Sequence, residues 1–322
     1  MMFNFNFEKT KETSVFDTIK VWDLLVIGGG PAGLNAALYA KRKGLNVGIV
    51  TKEIGGQLHN TSAVDNYLGF KFIEGESLSN EFLSHINHLD IPILKDVEIK
   101  EINHLNPNFE VILTSGKNLY SKTILLATGG SPRKLEVPGE KEYSNKGVSY
   151  CTTCDAPFFK DRHIIVAGGG NSAAEAVIDL VPWAKKITVV HRSQWRADEI
   201  LLEKHQNIDK LNVFLNTQIL RILGDEKMTG IEVLDKTSNR IYQIEADGLF
   251  IEIGTIPNSR LVSNLVDLNN LGEVIVDGSQ KTSLPGLFAA GDVTDQPHKQ
   301  IIIAAAEGAK AALSATKYIN EL

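Results

Sequence analysis

Twice along the chain a short apolar run breaks into a cluster of glycines and gives way to residues with helical spacing. The first occurrence is WDLLVI, Trp22 to Ile27, running into Gly28-Gly29-Gly30-Pro31-Ala32-Gly33 and then LNAALYAKRKG. A continuous apolar run bounded by glycine predicts a buried strand, and the following pattern predicts a helix that Gly44 ends. LNVGIVTK then predicts a second, parallel strand. The other occurrence is HIIVA, His163 to Ala167, leading into Gly168-Gly169-Gly170 and the helix SAAEAVIDL, with ITVV as its next strand. Between the two, VEIKEINHLNPNFEVILTSGKNLYSKTILLATGG predicts a run of strands turning at Asn106-Pro107-Asn108 and Ser115-Gly116. Ile54 to Leu58 and Val64 to Phe70 are too rich in Gly and Asn for a core element and predict loop. Near the end, the strand LFAA stops at Gly291-Asp292, and Gln300 to Lys310 opens a long apolar helix.

Strand, glycine turn and helix, repeated, predict an α/β protein with two Rossmann-like dinucleotide-binding domains of the FAD/NAD(P)-binding fold. The late return strand implies that the second is inserted into the first. The expected boundaries are 1–133 for the first part of the outer domain, 134–258 for the insert and 259–322 for the second part. Gly28, Gly30 and Gly33 fit G-x-G-x-x-G. Gly168 and Gly170 fit the same device, with Ala for the third glycine. Such glycines permit the turn and let backbone amides approach a pyrophosphate at a helix N-terminus. Where the generic fingerprint expects an acid for the ribose, the first domain has Thr51 and Lys52, with Glu53 just beyond, so ribose recognition there is left open. The second domain has His191, Arg192 and Arg196 at that place. A guanidinium there can pair with a 2′-phosphate; a basic solvated turn is the alternative. Asp292 is expected at a sheet edge facing a hydroxylated ligand, with the first turn of the Gln300 helix aimed at the same place.

Composition narrows the classes. The chain has 322 residues, 43% hydrophobic and 22% charged, which suits two globular domains of ordinary size. A net charge of −6 gives no argument for nucleic acid or an anionic membrane as partner. No run of eighteen apolar residues occurs, and the first twenty residues contain no signal-like apolar core. They are expected to form an extension that packs on the first domain through Phe3, Phe5 and Phe7.

The only two cysteines stand in Ser149-Tyr150-Cys151-Thr152-Thr153-Cys154-Asp155. C-x-x-C spacing suits a redox pair whose thiol pKa can fall from about 8.5 toward neutrality. Half a zinc site is the second reading, but it needs further ligands at suitable spacing, and no second C-x-x-C exists. Two incidental buried thiols are the third. Without a signal sequence, the pair points to a reducing cytosol and a catalytic role.

Taken together, GGGPAG, ATG, CTTCD, GGGNSAAE, HRSQWRAD and GDV, in this order, closely resemble the low-molecular-weight flavoprotein thioredoxin reductases over essentially the whole chain after residue 20. IGGQLHNTSAVDNY and the C-terminal segment also resemble the flavoprotein part of alkyl hydroperoxide reductases, whose long N-terminal redox domain has no counterpart before the first fingerprint. The resemblance implies FAD in the first fold, held by Gly28, Gly30, Gly33, Gln57, Asn66, Asp292, Gln300 and Ile301. It implies NADPH in the second, with Asn171, Ser172 and Glu175 in the nucleotide loop and His191, Arg192 and Arg196 at the 2′-phosphate. Ser193 departs from the family's arginine doublet, which removes one charged hydrogen bond, about 1.5–3 kcal/mol or about ten- to a hundredfold in affinity. Cys151 and Cys154 become the redox pair and Asp155 the acid that serves it. The same likeness implies a thioredoxin or related small redoxin as partner, a homodimer, and rotation of the insert about hinges at 134–139 and 254–259; no metal and a cytoplasmic location are expected from the cysteine pattern above. An alkyl hydroperoxide reductase-like or glutaredoxin-like redoxin reductase, using NADH or NADPH, and a flavin redox protein that does not use NADPH catalytically are the alternatives.

Overall fold

In a computed structural model, residues 15–61 and 63–322 are described; Phe3, Phe5 and Phe7 lie outside the described residues. The described residues divide into two compact units, one of 15–61, 67–131 and 256–322 and the other of 63–66 and 132–255. The crossings therefore fall at 131/132 and 255/256, against the 133/134 and 258/259 expected from sequence. They run through β7 (Gly130–Pro132) and β16 (Thr255–Pro257), which pair as a two-stranded ribbon.

The first unit is built on β1 (Trp22–Gly29), α1 (Pro31–Arg42), β2 (Val47–Ile54), α2 (Gly75–His88), β3 (Ile93–Leu94), β4 (Ile99–His104), β5 (Phe109–Leu113) and β6 (Asn118–Leu126). β17 (Leu287–Ala289) and α6 (Ile301–Asn320) complete it from the far end of the chain. Its seven-stranded sheet runs β3-β2-β1-β6-β5-β4, with β17 also on β6. β5 pairs antiparallel with Asn118 to Ser121, and β17 pairs parallel with Ile124 to Leu126. One strand thus carries an antiparallel meander on its first half and the parallel return strand on its second. The return strand is what makes this unit discontinuous in sequence. One layer of core contains Leu24, Val26, Ile49 and Phe288 with Ala36, Ala37, Ala311 and Ala312 of the helices; the other contains Leu25, Ile27, Val111, Ile124 and Val262. Alternate residues of β1 point to opposite layers, as the two-residue strand period requires. Phe16, 3% exposed, lies with its ring 4.8 Å from that of Trp22 and closes the second layer.

The second unit repeats the plan with β8 (Val148–Ser149), α3 (Thr152–Asp155), β9 (His163–Ala167), α4 (Asn171–Leu180), β10 (Lys186–Val190), α5 (Glu199–Glu203), β11 (Leu211–Phe214) and β15 (Gly248–Ile251). Its parallel sheet is ordered β11-β10-β9-β15-β8. An antiparallel sheet of β12 (Thr217–Gly224), β13 (Met228–Asp235) and β14 (Arg240–Glu245) covers one face through Ile219, Ile231 and Val233. Its hairpins lie in the stretch between β11 and β15, where the insert departs from the first unit's plan.

Candidate active site

In the first unit, Gly28 has φ +120°, and a Cβ there would lie 2.2 Å from the Ala127 carbonyl oxygen. A Cβ on Gly33 would lie 2.0 Å from the Gly28 oxygen. Both glycines are therefore needed for the turn to pass β6 and for α1 to seat on it. Gly30, the N-cap of α1, faces open space, and the first turn of α1 holds neither a side-chain cap nor an acid. That leaves the positive end of the helix dipole available to an anion.

A continuous rim leads from this turn around the carboxyl ends of the strands. Gly56 approaches the Gly30 Cα within 3.6 Å of its Cβ position, and the neighbouring Gln57 donates from Nε2 to the Gly130 carbonyl at 2.7 Å and to Asp292 Oδ2 at 3.5 Å. Gly291 lies against Ala32 and Ala304, its Cβ position 3.1 and 3.6 Å from theirs. Gln300 is the N-cap of α6 and Ile301 its first residue, again with no acid in the first turn. Burial pushes the Asp292 carboxyl up, with Lys299 opposing. Thus seven of the eight residues expected to hold FAD belong to this unit. Asn66 belongs to a short segment, 63–66 among the described residues, that groups with the second. The donor set fits a flavin dinucleotide: two acid-free helix N-termini for a diphosphate, a carboxylate for hydroxyls and an amide group between them. Glu307 was not foreseen. It is buried and accepts a hydrogen bond from the Gly291 amide at 2.8 Å, fixing the backbone beside Asp292.

In the second unit, hydrogen bonds and close contacts connect several of the residues expected at its nucleotide turn. Gly168 passes under the Glu252 carbonyl, and a Cβ on Gly169 would lie 2.2 Å from the His191 ring. Gly170 faces open space and caps α4, whose first turn has no acid. The Arg196 amide donates to the Gly169 carbonyl at 2.7 Å, and Asn171 exchanges two hydrogen bonds with Asp198, at 2.8 and 2.9 Å. His191 is buried with Nε2 3.1 Å from Ser193 Oγ. Burial first, then Arg196 and Arg192, hold its pKa below the ordinary value. Arg192, Arg196, Ser172 and Glu175 are exposed around the turn. The sequence-level basic cluster is thus assembled on the glycine turn, with Lys236 as a third cation acting on His191 and donating to the Arg192 carbonyl at 3.3 Å.

Cys151 and Cys154 are joined as a disulfide, with Cα atoms 5.3 Å apart, across the short helix α3. The Cys154 amide donates to Cys151 Sγ at 3.2 Å. Asp155 follows at once, and its Oδ2 accepts from Ser149 Oγ at 2.6 Å. Burial, and then the charge of Asp65, push its carboxyl up against the Ser149 bond. Two supports escaped the sequence reading. Glu140, buried, accepts from the Leu135 and Glu136 amides at 3.0 and 2.7 Å and from Tyr150 Oη at 2.8 Å, tying the residue before Cys151 to the segment after the crossing. Glu252 accepts from Thr152 Oγ1 at 2.6 Å. A lone acid in the apolar run Leu249-Phe250-Ile251-Glu252-Ile253 was the available signal.

The geometry is that of a disulfide carried on a nucleotide-binding unit, in a chain with a second such unit, and the chain belongs to the pyridine nucleotide-disulphide oxidoreductase family, whose model matches residues 22–308. It is 38% identical over 311 residues to the F-type component of alkyl hydroperoxide reductase of Staphylococcus aureus, covering 96% of this chain and 61% of that one. The chain thus spans about three fifths of the length of that curated relative. Among solved structures, thioredoxin reductase from Streptococcus pyogenes is similar at TM-score 0.90 and 34% identity, covering 94% of this chain and 99% of that one. Thioredoxin reductase from Giardia duodenalis is similar at TM-score 0.87 and 29% identity, with coverages of 94% and 100%. Among the described residues, no helix is long and apolar enough to cross a membrane.

Proposed function

We propose that the chain is a thioredoxin-disulfide reductase that uses NADPH and FAD to reduce a thioredoxin or related small redoxin. The observation that carries this is the closed Cys151–Cys154 disulfide on a nucleotide-binding unit, followed at once by an acid whose carboxyl burial pushes up. Gly28, Gly30, Gly33, Gln57, Asp292, Gln300 and Ile301, with Asn66, hold FAD; Gly168, Gly170, Asn171, Ser172, Glu175, His191, Arg192 and Arg196 hold NADPH. Bound FAD supplies the means of passing two electrons from a pyridine nucleotide to a disulfide. The chain's own residues do the exchange. In the reduced pair, one thiolate attacks a sulfur of the partner's disulfide, and the partner's other sulfur leaves as a thiolate. The second cysteine then attacks the mixed disulfide, which restores Cys151–Cys154 and frees the partner as a dithiol. Asp155 holds the proton that a leaving thiolate needs. The reading places the chain in the reducing cytoplasm as a homodimer. Steady-state reduction of candidate redoxins with NADPH tests it, and absence of turnover with every thioredoxin tried would refute it.

The Asp155 role has a pH signature. Proton donation needs the neutral acid, whose fraction falls as pH rises through its raised pKa, so redoxin reduction is expected to decline along that limb. Asp155→Asn should slow reduction by about 10²-fold or more and flatten the limb, as read from a pH–rate profile. An unchanged profile would remove the acid from the mechanism.

Similarity to the alkyl hydroperoxide reductase component supports a second reading, in which the redoxin served is one linked to a peroxidase and NADH is accepted. Arg192→Ala decides the nucleotide question. Loss of one charged hydrogen bond to the 2′-phosphate is expected to raise KM for NADPH by about ten- to a hundredfold and leave KM for NADH unchanged. Equal changes with both nucleotides would place the 2′-phosphate elsewhere.

A further inference from the structure

Glu252 takes no part in the scheme above, yet it touches both functional turns of the second unit. It follows β15; its amide donates to the Ala167 carbonyl at 2.8 Å, and its own carbonyl is the atom that a Cβ on Gly168 would meet at 2.2 Å. Its side chain reaches the other way. Oε1 accepts the hydroxyl of Thr152 at 2.6 Å, and Thr152, 4% exposed, stands between the two cysteines. The charges that act on it from α4 are those of Asp179 and Glu175, both negative. The carboxyl on α3, Asp155, is engaged instead with Ser149.

We propose that Glu252 is a positioning residue for the redox pair, which holds Thr152 and couples reduction of the Cys151–Cys154 disulfide to uptake of a proton on its own carboxyl. Two electrons, from the reduced flavin in turnover or from dithiothreitol in the test below, break the S–S bond and leave two thiolates. One takes a proton from solvent to become a thiol, and the other stays a thiolate. The ionised Glu252 carboxylate takes a second proton from solvent, because otherwise two negative charges would flank Thr152 in a partly buried site. Burial pushes this carboxyl up to about 7; the Thr152 hydroxyl and amide oppose the shift, and Asp179 and Glu175 add to it. Below that pH the neutral acid leaves the thiolate unopposed. Above it the ionised carboxylate raises the thiol pKa and favours the disulfide.

The inference rests on the disulfide being redox-active, and its test needs no turnover. The full-length protein with its bound flavin is equilibrated in oxidised and reduced dithiothreitol from about pH 6 to about pH 8.5, and the reduced fraction is read by alkylation and mass. The wild-type midpoint is expected to bend near pH 7, and the bend should vanish in Glu252→Gln and persist in Glu252→Asp. Any bend from Asp155 is common to all three proteins and cancels in the comparison. Above pH 7 the reduced Glu252→Gln pair should react with iodoacetamide roughly three- to tenfold faster than wild type, the effect of a thiol pKa lowered by about half to one unit. Should Glu252→Gln not fold, Asp179→Asn, on the exposed side of α4, removes one like charge and should move the bend to lower pH. Superimposable curves for wild type and Glu252→Gln, or a bend that Asp179→Asn leaves in place, overturn the proposal. A disulfide that dithiothreitol reduces at no pH overturns the redox reading itself, and the two failures are distinguishable.

Discussion

Cys154→Ser is expected to take redoxin reduction to background while NADPH still bleaches the flavin at the wild-type rate. The reason is the order of bond changes. A single remaining thiol can attack a partner disulfide, but the mixed disulfide then has no second thiolate to resolve it, so the partner stays attached. Cys151→Ser should be equally dead. Only the variant that retains the attacking sulfur should trap a partner in a covalent adduct, so mass analysis of the two after exposure to redoxin assigns the roles. The competing route, direct transfer from bound flavin to the partner, needs neither cysteine. Residual redoxin turnover in both variants would establish that route and dispose of the thiol relay. Asp155 is bonded to Ser149 and Glu252 to Thr152; the roles proposed for the two carboxyls both run through the cysteine sulfurs, so their effects should disappear in either serine variant.

How much of this was legible in sequence depends on whether the signal was local. The glycine turns, their helices, the turns at Asn106-Pro107-Asn108 and Ser115-Gly116, and the late strand LFAA each have a short-range cause, a φ that few residues adopt or a period that one element imposes. The cysteine pair was legible for the same reason. Helix α2 was not foreseen: Gly75 opens it and polar residues punctuate its apolar positions, so the local pattern is weak. The supports of the site are set by contacts between distant positions. Glu252 reaches Thr152 across one hundred residues, Glu307 reaches Gly291 across sixteen, and Gln57 reaches Asp292 across 235. No spacing rule connects them. What sequence offered was an anomaly, an acid inside an apolar run, without the partner that explains it. Glu140 gave even less, since an acid after Pro138-Gly139 reads as an ordinary turn until its buried contacts are seen.

Gly308→Ala is expected to destabilise the protein by about 3 kcal/mol, although helix propensity alone predicts the opposite sign. In an isolated helix the change gains about 1 kcal/mol. Here a Cβ at residue 308 would lie 2.0 Å from the Ala32 carbonyl oxygen and 2.8 Å from its carbon, well inside any tolerated contact and against backbone that has no rotamer to change. Helix α6 would have to draw back from α1, which strains the bond from Asn35 Nδ2 to the Ala305 carbonyl, now 2.6 Å, and loosens the alanine-lined seam of Ala36, Ala37, Ala311 and Ala312. The same displacement moves the first turn of α1 and the Gly291 backbone, which Glu307 holds from α6. Flavin content should therefore fall together with stability. Thermal unfolding and the flavin-to-protein absorbance ratio measure the two effects, with an expected fall in Tm of about 6–12 °C for a unit of this size. A Gly308→Ala protein with raised Tm and full flavin occupancy would mean that the helices part at no cost, and the close approach of α1 and α6 would then not be what seats the cofactor turn.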